Sequence, residues 1–237
     1  MKEELKKISN KITILGFGSL LSENSSRLTF PDLHNFRLVR VPHYRRVFGH
    51  VASIFFQRNI ARKETLEMAS LSVEYVDHDY PGFLAAAFEV AADELMADGI
   101  PSQAFLEREE EFDIITVPYF PVDPVSQQEI AGTSQEGVIC QRGSDELYLQ
   151  RWGGQRFQEY YGQYGIQTIW NWTEGLRPCA VYLRHCYLAA EKLGCLDSFL
   201  DETYLVDRTT KLRDYMEENP QILEELPPPE LASRYSG

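Results

Sequence analysis

The sequence predicts an α+β fold, because segments of strand character dominate its first half and the clearest helical spacing comes in its second half. The strand segments run apolar or alternate apolar and polar residues, which is the period of a β-strand. They are residues 12–15, 36–41, 46–56, 67–75, 82–90, 112–120 and 137–141. Apolar residues recur at helical spacing over 178–193, where Gly194 supplies a stop. A chain of 237 residues can bury a sizeable core as one domain.

Composition excludes several classes of function. The net charge of −13 argues against a nucleic-acid surface or binding to an anionic membrane, because phosphate binding needs clustered lysine and arginine. No apolar run approaches the roughly 18 residues of a transmembrane helix. Residues 1–11 hold four lysines and no apolar core, which is not the pattern of a secretory signal. We therefore expect a cytoplasmic monomer or homodimer with a small-molecule partner and no nucleic-acid or membrane partner.

Neither the cysteines nor the histidines predict a metal site. The cysteines at positions 140, 179, 186 and 195 show no C-x-x-C pattern and no zinc-ligand spacing. We interpret them as reduced thiols, the last three as core residues near a helix. His43 and His50 have no carboxylate or second histidine at ligand spacing, so we interpret them as structural.

The order of these segments predicts four parts of the chain. They are an N-terminal tail at 1–11, a core at 12–121, an aromatic-rich insertion with C-terminal helices that completes the domain at 122–213, and an acidic tail at 214–237. The tail contains Pro227, Pro228 and Pro229 and is expected to be solvated and partly disordered.

Two stretches lack a clear period. Residues 22–35 are rich in Ser, Asn and Asp and are expected to form an irregular connection. Residues 145–172 contain five Tyr or Phe, three Trp and four Gly, which favours an irregular insertion or a lip over a pocket.

The turn after the first strand is the first candidate site. Gly16 and Gly18 allow positive φ and close backbone approach, and Ser19 adds a hydroxyl. Successive N–H groups in such a turn can bind a carboxylate or a phosphate. A plain glycine-containing turn after a core strand is the alternative, and an isolated turn of this kind does not decide between them.

The acidic run at 105–112 is the second candidate site. Pro101 and Ser102 can begin a helix that continues to Glu111. A charge run of this kind is often a solvated helix face. Carboxyl groups packed against each other and against Phe105 and Phe112 would instead have raised pKa values and could exchange protons near neutral pH. The sequence does not decide which glutamate is buried.

Together these stretches resemble the γ-glutamyl cyclotransferase superfamily, including its ChaC-like and plant-type members. The pattern is Phe17-Gly18-Ser19-Leu20 after a strand, followed about ninety residues later by Leu106-Glu107-Arg108-Glu109-Glu110 before another strand. Tyr44-Arg45-Arg46 is similar to a further family motif, residues 82–90 to its central strand, and Tyr119 with Pro121 to the residues after the catalytic segment.

The resemblance implies a fold, an activity and a site. The fold would be a small mixed β-barrel flanked by helices, here with a helical, aromatic-rich C-terminal extension. The enzyme would need no cofactor and would release 5-oxoproline from glutathione, a γ-glutamyl amino acid or a γ-glutamyl amine by attack of the substrate's own α-amine. Glu110 would be the general base and acid, with Glu109 as its rival. The implied substrate-binding residues are Phe17, Gly18, Ser19, Leu20, Arg46 and Tyr119.

Glu109 stands where arginine or glutamine usually precedes the catalytic glutamate, which is why it is a rival to Glu110. Two further departures keep a second class of function open: Phe17 stands where the family usually has tyrosine, and the C-terminal half is longer than in the shorter members. The alternative is a binding or regulatory protein that keeps the fold and the anion-binding turn but does not turn over substrate.

Overall fold

In the computed structural model, which describes residues 11–97, 100–130, 132 and 134–237, the fold is organised around long strands. They are β1 (Lys11–Gly16), β2 (His34–Val41), β3 (Tyr44–Val51), β4 (Glu67–Tyr75), β5 (Phe83–Ala91), β6 (Asp113–Pro121) and β7 (Gln135–Gln141). Two-residue strands lie at Met96–Ala97, Ile100–Pro101, Arg177–Pro178 and Thr203–Tyr204. All seven long strands fall on segments that the sequence predicts as strands.

Five of these strands close into a mixed barrel. β1 pairs antiparallel with β5, β5 with β2, β2 with β6, and β6 with β7. The barrel closes where β7 runs parallel to β1, at Val138 opposite Ile14. β4 pairs in parallel with β7, and β3 pairs antiparallel with β4, so this hairpin extends the sheet beyond the barrel. The predicted mixed barrel is confirmed.

Helices cover the barrel and make up most of the chain after β7. They are α1 (Glu23–Thr29), α2 (Ser53–Gln57), α3 (Ala92–Leu95), α4 (Gln103–Arg108), α5 (Asp145–Tyr160), α6 (Ala180–Lys192), α7 (Leu196–Asp201) and α8 (Leu212–Glu218). Short 3-10 helices lie at Ser19–Leu21, Gly162–Tyr164, Pro220–Glu224 and Pro229–Leu231. None of the helices in the described residues combines the length and the apolar character needed to cross a bilayer. The helical C-terminal extension is as predicted.

The irregular connection predicted for 22–35 is wrong, because α1 occupies half of it. Ser22 caps this helix, its hydroxyl accepting the N–H of Ser25 at 3.2 Å. An ion pair between Glu23 and Arg27, one turn apart, adds to the exposed face. The serines that suggest a loop therefore serve as the helix cap and as small buried residues.

The strand predicted over 46–56 is also too long. β3 ends at Val51, whose N–H donates to the carbonyl of Ile169 at 3.2 Å. α2 then begins at Ser53. A short continuous apolar run is compatible with either a strand or a buried helix, so its period could not show this change.

The aromatic stretch at 145–172 is largely helical rather than irregular. Ser144 caps α5 by accepting the N–H of Leu147 at 3.0 Å, and two acidic residues occupy the first turn. Gly153 interrupts the helix with φ of 80° and ψ of 165°. One of the glycines that suggested irregularity therefore produces a kink within a helix.

The C-terminal segment packs against the core, contrary to the prediction of a solvated tail. The side chains of Ile222 and Tyr235 are buried. Arg62 donates to Glu225 at 2.9 Å, and the N–H of Gly237 donates to His185 Nδ1 at 3.0 Å. The predicted tail at 1–11 lies outside the described residues except for Lys11, which begins β1.

Candidate active site

A cavity of about 460 Å³ lies at the end of β1 and is walled by distant parts of the chain. The turn after β1 and the acidic run after α4 both line it. The start of α2, the second half of α5, and Arg234 and Tyr235 of the C-terminal segment complete the wall. This volume falls within the range of small-molecule sites.

The turn lines the cavity with its backbone. It forms the 3-10 helix Ser19–Leu21, in which the N–H of Leu21 donates to the carbonyl of Gly18 at 2.9 Å. The first N–H groups of a helix have no partner within it. The N–H of Ser19 is directed at the hydroxyl of Tyr182, which leaves the N–H of Leu20 for a ligand. Such groups suit an anion.

The two glycines of the turn are required by close packing. Neither has positive φ, so of the two properties that glycine allows at this turn the structure uses close backbone approach. A Cβ added to Gly18 would overlap the hydroxyl of Tyr182, and one added to Gly16 would lie 2.6 Å from Leu20 Cβ. The backbone therefore approaches Tyr182 as only glycine allows.

The acidic run leaves the helix before its last glutamates. Ser102 caps α4 by accepting the N–H of Phe105 at 3.3 Å, and the helix ends at Arg108, with Glu109 as its C-cap residue. The predicted helix to Glu111 is three residues too long. Glu110 and Glu111 lie in the turn that leads into β6, and both side chains are buried. Because they are not helical, the turn can bury both of them.

Glu110 is held from two sides. Its Oε1 accepts the hydroxyl of Ser53 at 3.2 Å. Its Oε2 accepts Arg156 Nε at 2.9 Å and lies 2.7 Å from Nη2 of the same guanidinium. Burial raises the pKa of Glu110, and the ion pair with Arg156 opposes that rise. Glu109 also lines the cavity, but it pairs with Arg108 at 2.6 Å and is more exposed.

Glu111 is a second buried carboxyl group that the sequence does not single out. Its Oε1 accepts the hydroxyl of Tyr161 at 2.6 Å and the backbone N–H of Ser53 at 3.3 Å. Burial, together with the charge of Glu110, raises its pKa to about 7. Ser53 thus contacts both carboxyl groups, one through its hydroxyl and one through its N–H.

Two predicted binding residues lie outside the cavity. Arg46 is fully buried between the rings of Phe83 and Phe199, at 5.0 and 4.9 Å. Its guanidinium donates to the carbonyl groups of Leu84 and Ser198. Tyr119 donates its hydroxyl to Gln135 at 2.5 Å and accepts from Arg37 at 2.7 Å. Both arrangements are internal to the protein.

The other predicted residues lie in the cavity wall. Phe17, Gly18, Ser19 and Leu20 line it together with Glu109 and Glu110. His50 also lines it, with its ring stacked on Trp170 at 4.3 Å, and burial lowers its pKa to about 3. Among the described residues no three His, Cys, Asp or Glu side chains are grouped to hold a metal ion.

Sequence reasoning missed Ser53, Arg156 and Tyr161. Arg156 and Tyr161 lie in the stretch at 145–172 and reach the acidic run from about fifty positions further along the chain. The only local signal is the aromatic setting of Arg156, whose guanidinium lies 4.5 Å from the ring centroid of Trp152 and 5.0 Å from that of Tyr160.

Comparisons with known proteins give weak likenesses. No known protein-family profile and no curated protein sequence matches this chain. Among solved structures, a γ-glutamyl cyclotransferase is similar at 13% identity and a TM-score of 0.39, over 69% of this chain and 92% of its own. A yeast γ-glutamyl cyclotransferase specific to glutathione is similar at 10% identity and a TM-score of 0.37, over 80% of this chain and 96% of its own. An uncharacterized human protein is similar at 14% identity and a TM-score of 0.35, over 70% of this chain and 92% of its own.

These TM-scores are too low for the likeness to support an assignment of activity or substrate.

Proposed function

We propose that this chain is a γ-glutamyl cyclotransferase that releases 5-oxoproline from a γ-glutamyl compound. One observation carries the proposal: the turn after β1 and the buried carboxyl group of Glu110 line the same cavity. The motif resemblance names the same two features. The turn would hold the α-carboxylate of the γ-glutamyl unit, and Glu110 would face its amine.

The reaction needs only what this wall provides. Glu110 takes a proton from the α-ammonium group, and the amine nitrogen then attacks the γ-amide carbonyl carbon. The attacking nitrogen loses its second proton as the bond from that carbon to the leaving nitrogen breaks. The leaving amine takes up both protons, one of them from Glu110, and departs as an ammonium group. Because the nucleophile is part of the substrate, its proximity supplies much of the rate and no serine or cysteine is required.

The environment of Glu110 suits a group that exchanges protons. Burial raises its proton affinity, while Arg156 keeps an ionised form accessible. Catalytic efficiency is greatest when the pKa of the group lies near the working pH. Glu111, whose proton is retained up to about pH 7, limits the charge that accumulates beside Glu110.

A binding or regulatory protein without turnover is the second candidate. It is favoured by the ion pair with Arg156, since a carboxylate engaged by a guanidinium is a weaker base. Phe17, which carries no hydroxyl into the cavity wall, supports the same alternative.

The test is release of 5-oxoproline from glutathione and from γ-glutamyl-alanine, measured by mass spectrometry against an enzyme-free control. We expect Glu110→Gln to lower kcat by at least about 100-fold, because proton transfer by one group contributes that much. Glu109→Gln is the matched control and should change kcat little. Circular dichroism confirms that each variant is folded.

Two results would contradict this proposal. If Glu109→Gln abolishes release while Glu110→Gln does not, the assignment of the base is off by one residue. If the wild-type chain binds both compounds but releases no 5-oxoproline, the binding alternative is correct.

A further inference from the structure

The wall formed by α2 and the C-terminal segment is cationic. Arg58 follows the last residue of α2, and Arg234 lies between the 3-10 helix Pro229–Leu231 and the end of the chain. Both line the cavity that contains Glu110. Two guanidinium groups from segments far apart in the sequence thus belong to one site.

Neither of these arginines has an acidic partner among the described residues. Arg108 and Arg156, which also line the cavity, pair with Glu109 and Glu110 at 2.6 and 2.7 Å. Arg58 instead donates Nη1 to the hydroxyl of Tyr235 at 2.6 Å, and no carboxylate of the described chain lies within 4.0 Å of it or of Arg234. Arg58 and Arg234 therefore bring to the cavity wall two guanidinium groups that form no ion pair within the described chain.

Hydrogen bonds fix the main chain of Arg234, and a contact with Tyr235 positions the side chain of Arg58. The carbonyl of Arg234 accepts the hydroxyl of Ser25 at 3.2 Å, and its N–H donates to Leu231 at 3.0 Å. The ring of Tyr235 is buried, and the guanidinium carbon of Arg58 lies 5.6 Å from its centroid. The guanidinium of Arg58 is restrained by this contact and therefore loses less entropy when it binds a ligand.

Guanidinium groups with spare donors in a concave site suit a carboxylate, which they bind in a bidentate geometry. A γ-glutamyl amino acid or peptide carries two carboxylates. Under the proposed function the turn holds the first one, on the γ-glutamyl unit. The second carboxylate belongs to the amino acid or peptide that leaves. The leaving group of a γ-glutamyl amine carries no carboxylate.

We propose that Arg58 and Arg234 bind the carboxylate of the leaving group, so that this chain selects γ-glutamyl amino acids and peptides over γ-glutamyl amines. Tyr235 is a positioning residue, because it acts on the ligand through Arg58. This inference rests on the proposed function for the orientation of the substrate.

The test compares γ-glutamyl-alanine with γ-glutamyl-ethylamide, which differ only in the leaving-group carboxylate. For the wild-type chain we expect kcat/KM to favour γ-glutamyl-alanine by about tenfold or more, the worth of one charged hydrogen bond. Arg234→Gln and Arg58→Gln should remove most of this preference, because they lower kcat/KM for γ-glutamyl-alanine far more than for the ethylamide. Arg62→Gln, an arginine outside the cavity, should keep the preference.

Two further variants separate recognition from packing. Tyr235→Phe keeps the buried ring but removes the hydroxyl that accepts the hydrogen bond from Arg58, so it should lower the preference only in part. Arg58→Lys keeps the charge and should retain more of the preference than Arg58→Gln. Equal turnover of the two substrates by the wild-type chain overturns the inference. So does an equal loss on both substrates in Arg234→Gln, which would place the guanidinium on the γ-glutamyl unit.

Binding measured by calorimetry distinguishes failure of this inference from failure of the proposed function. If neither compound is cyclised, tighter binding of γ-glutamyl-alanine that Arg234→Gln abolishes supports the carboxylate site while the reaction is rejected. Equal affinities for the two compounds reject the carboxylate site, whether or not turnover occurs.

Discussion

At the scale of single residues, the site depends on two adjacent glutamates with different surroundings. Glu110 faces a guanidinium, whereas Glu111 faces a tyrosine hydroxyl and a backbone N–H. A neighbouring cation stabilises the charged form of a carboxyl group, and burial without one stabilises the neutral form. The same residue type is therefore suited to two roles within one turn.

The stability of the protein should report the buried proton of Glu111. Its pKa rises from an ordinary 4.5 to about 7, so between these values the folded chain holds a proton that the unfolded chain has released. The retained proton therefore stabilises the folded chain at low pH, and the free energy of unfolding decreases as the pH rises across this window. At about 1.4 kcal/mol for each pKa unit, the loss amounts to at most roughly 3.5 kcal/mol.

Glu111→Gln should remove this contribution, because an amide has no proton to lose. Urea unfolding of the wild type and the variant at pH 5, 6, 7 and 8 measures the difference. We expect the free energy of unfolding of the variant, relative to that of the wild type, to increase as the pH rises. Glu107→Gln, an exposed glutamate of α4, is the control. Parallel curves for the wild type and Glu111→Gln would show that the buried carboxyl group is not protonated near neutral pH.

At the scale of elements, the kink in α5 directs Arg156 towards Glu110. In a straight helix from Asp145 to Tyr160 the two halves would share one axis. Gly153 has non-helical dihedral angles, so the second half takes a different direction from the first. The second half of α5 carries both Arg156 and Tyr160 into the cavity wall. The predicted lip over a pocket is therefore formed by a broken helix.

Gly153→Ala and Gly154→Ala form a matched pair that isolates the backbone of this kink. Neither added Cβ would meet an atom within 4 Å, so packing is equal for both. Gly153 has φ of 80° and ψ of 165°, a region that costs a non-glycine residue about 1–3 kcal/mol. Gly154 has helical dihedral angles, where alanine stabilises by about 0.4–1 kcal/mol through the unfolded chain.

We expect urea unfolding to show Gly153→Ala as less stable than the wild type and Gly154→Ala as equal or more stable. Release of 5-oxoproline should fall only in Gly153→Ala, because Arg156 is displaced. If both variants are stabilised, α5 runs straight through Gly153 in solution and the kink is not required.

At the scale of the whole molecule, the C-terminal segment is part of the domain and of its cavity. It packs on α6 through the contact between Gly237 and His185, and it contributes Arg234 and Tyr235 to the wall. Its acidic character agrees with an exposed outer face, but two apolar anchors, Ile222 and Tyr235, are nearly fully buried. Stability and ligand recognition should therefore depend on the same segment.

Ile222→Ala tests whether this segment is folded onto the core. The side chain is 2% exposed, and truncation of a buried isoleucine to alanine costs about 2–5 kcal/mol. Leu226→Ala, at a position 71% exposed in the same segment, should change the free energy of unfolding by less than about 0.5 kcal/mol. Equal, small effects of the two substitutions in urea unfolding would mean that the segment is solvated.

The strands and the two halves of the site could be predicted from local patterns. A period of two in residues 67–75 and an apolar run at 82–90 mark strands without any knowledge of their partners. The turn after β1 and the acidic run are each visible in a few consecutive residues. The limits of the elements were less predictable, because α4 ends at Arg108 while the helical propensity of the sequence continues.

By itself the sequence determined the α+β class, the succession of strands, and the residue types available for proton transfer and anion binding. Only the tertiary structure decided that Glu110 and Glu111 are both buried, that Arg156 and Ser53 contact them, and that Arg46 is an internal residue. The physical reason is that burial and ion pairing are properties of surroundings. Those surroundings are supplied by segments about fifty or more positions away, and periodicity along one stretch carries no information about them.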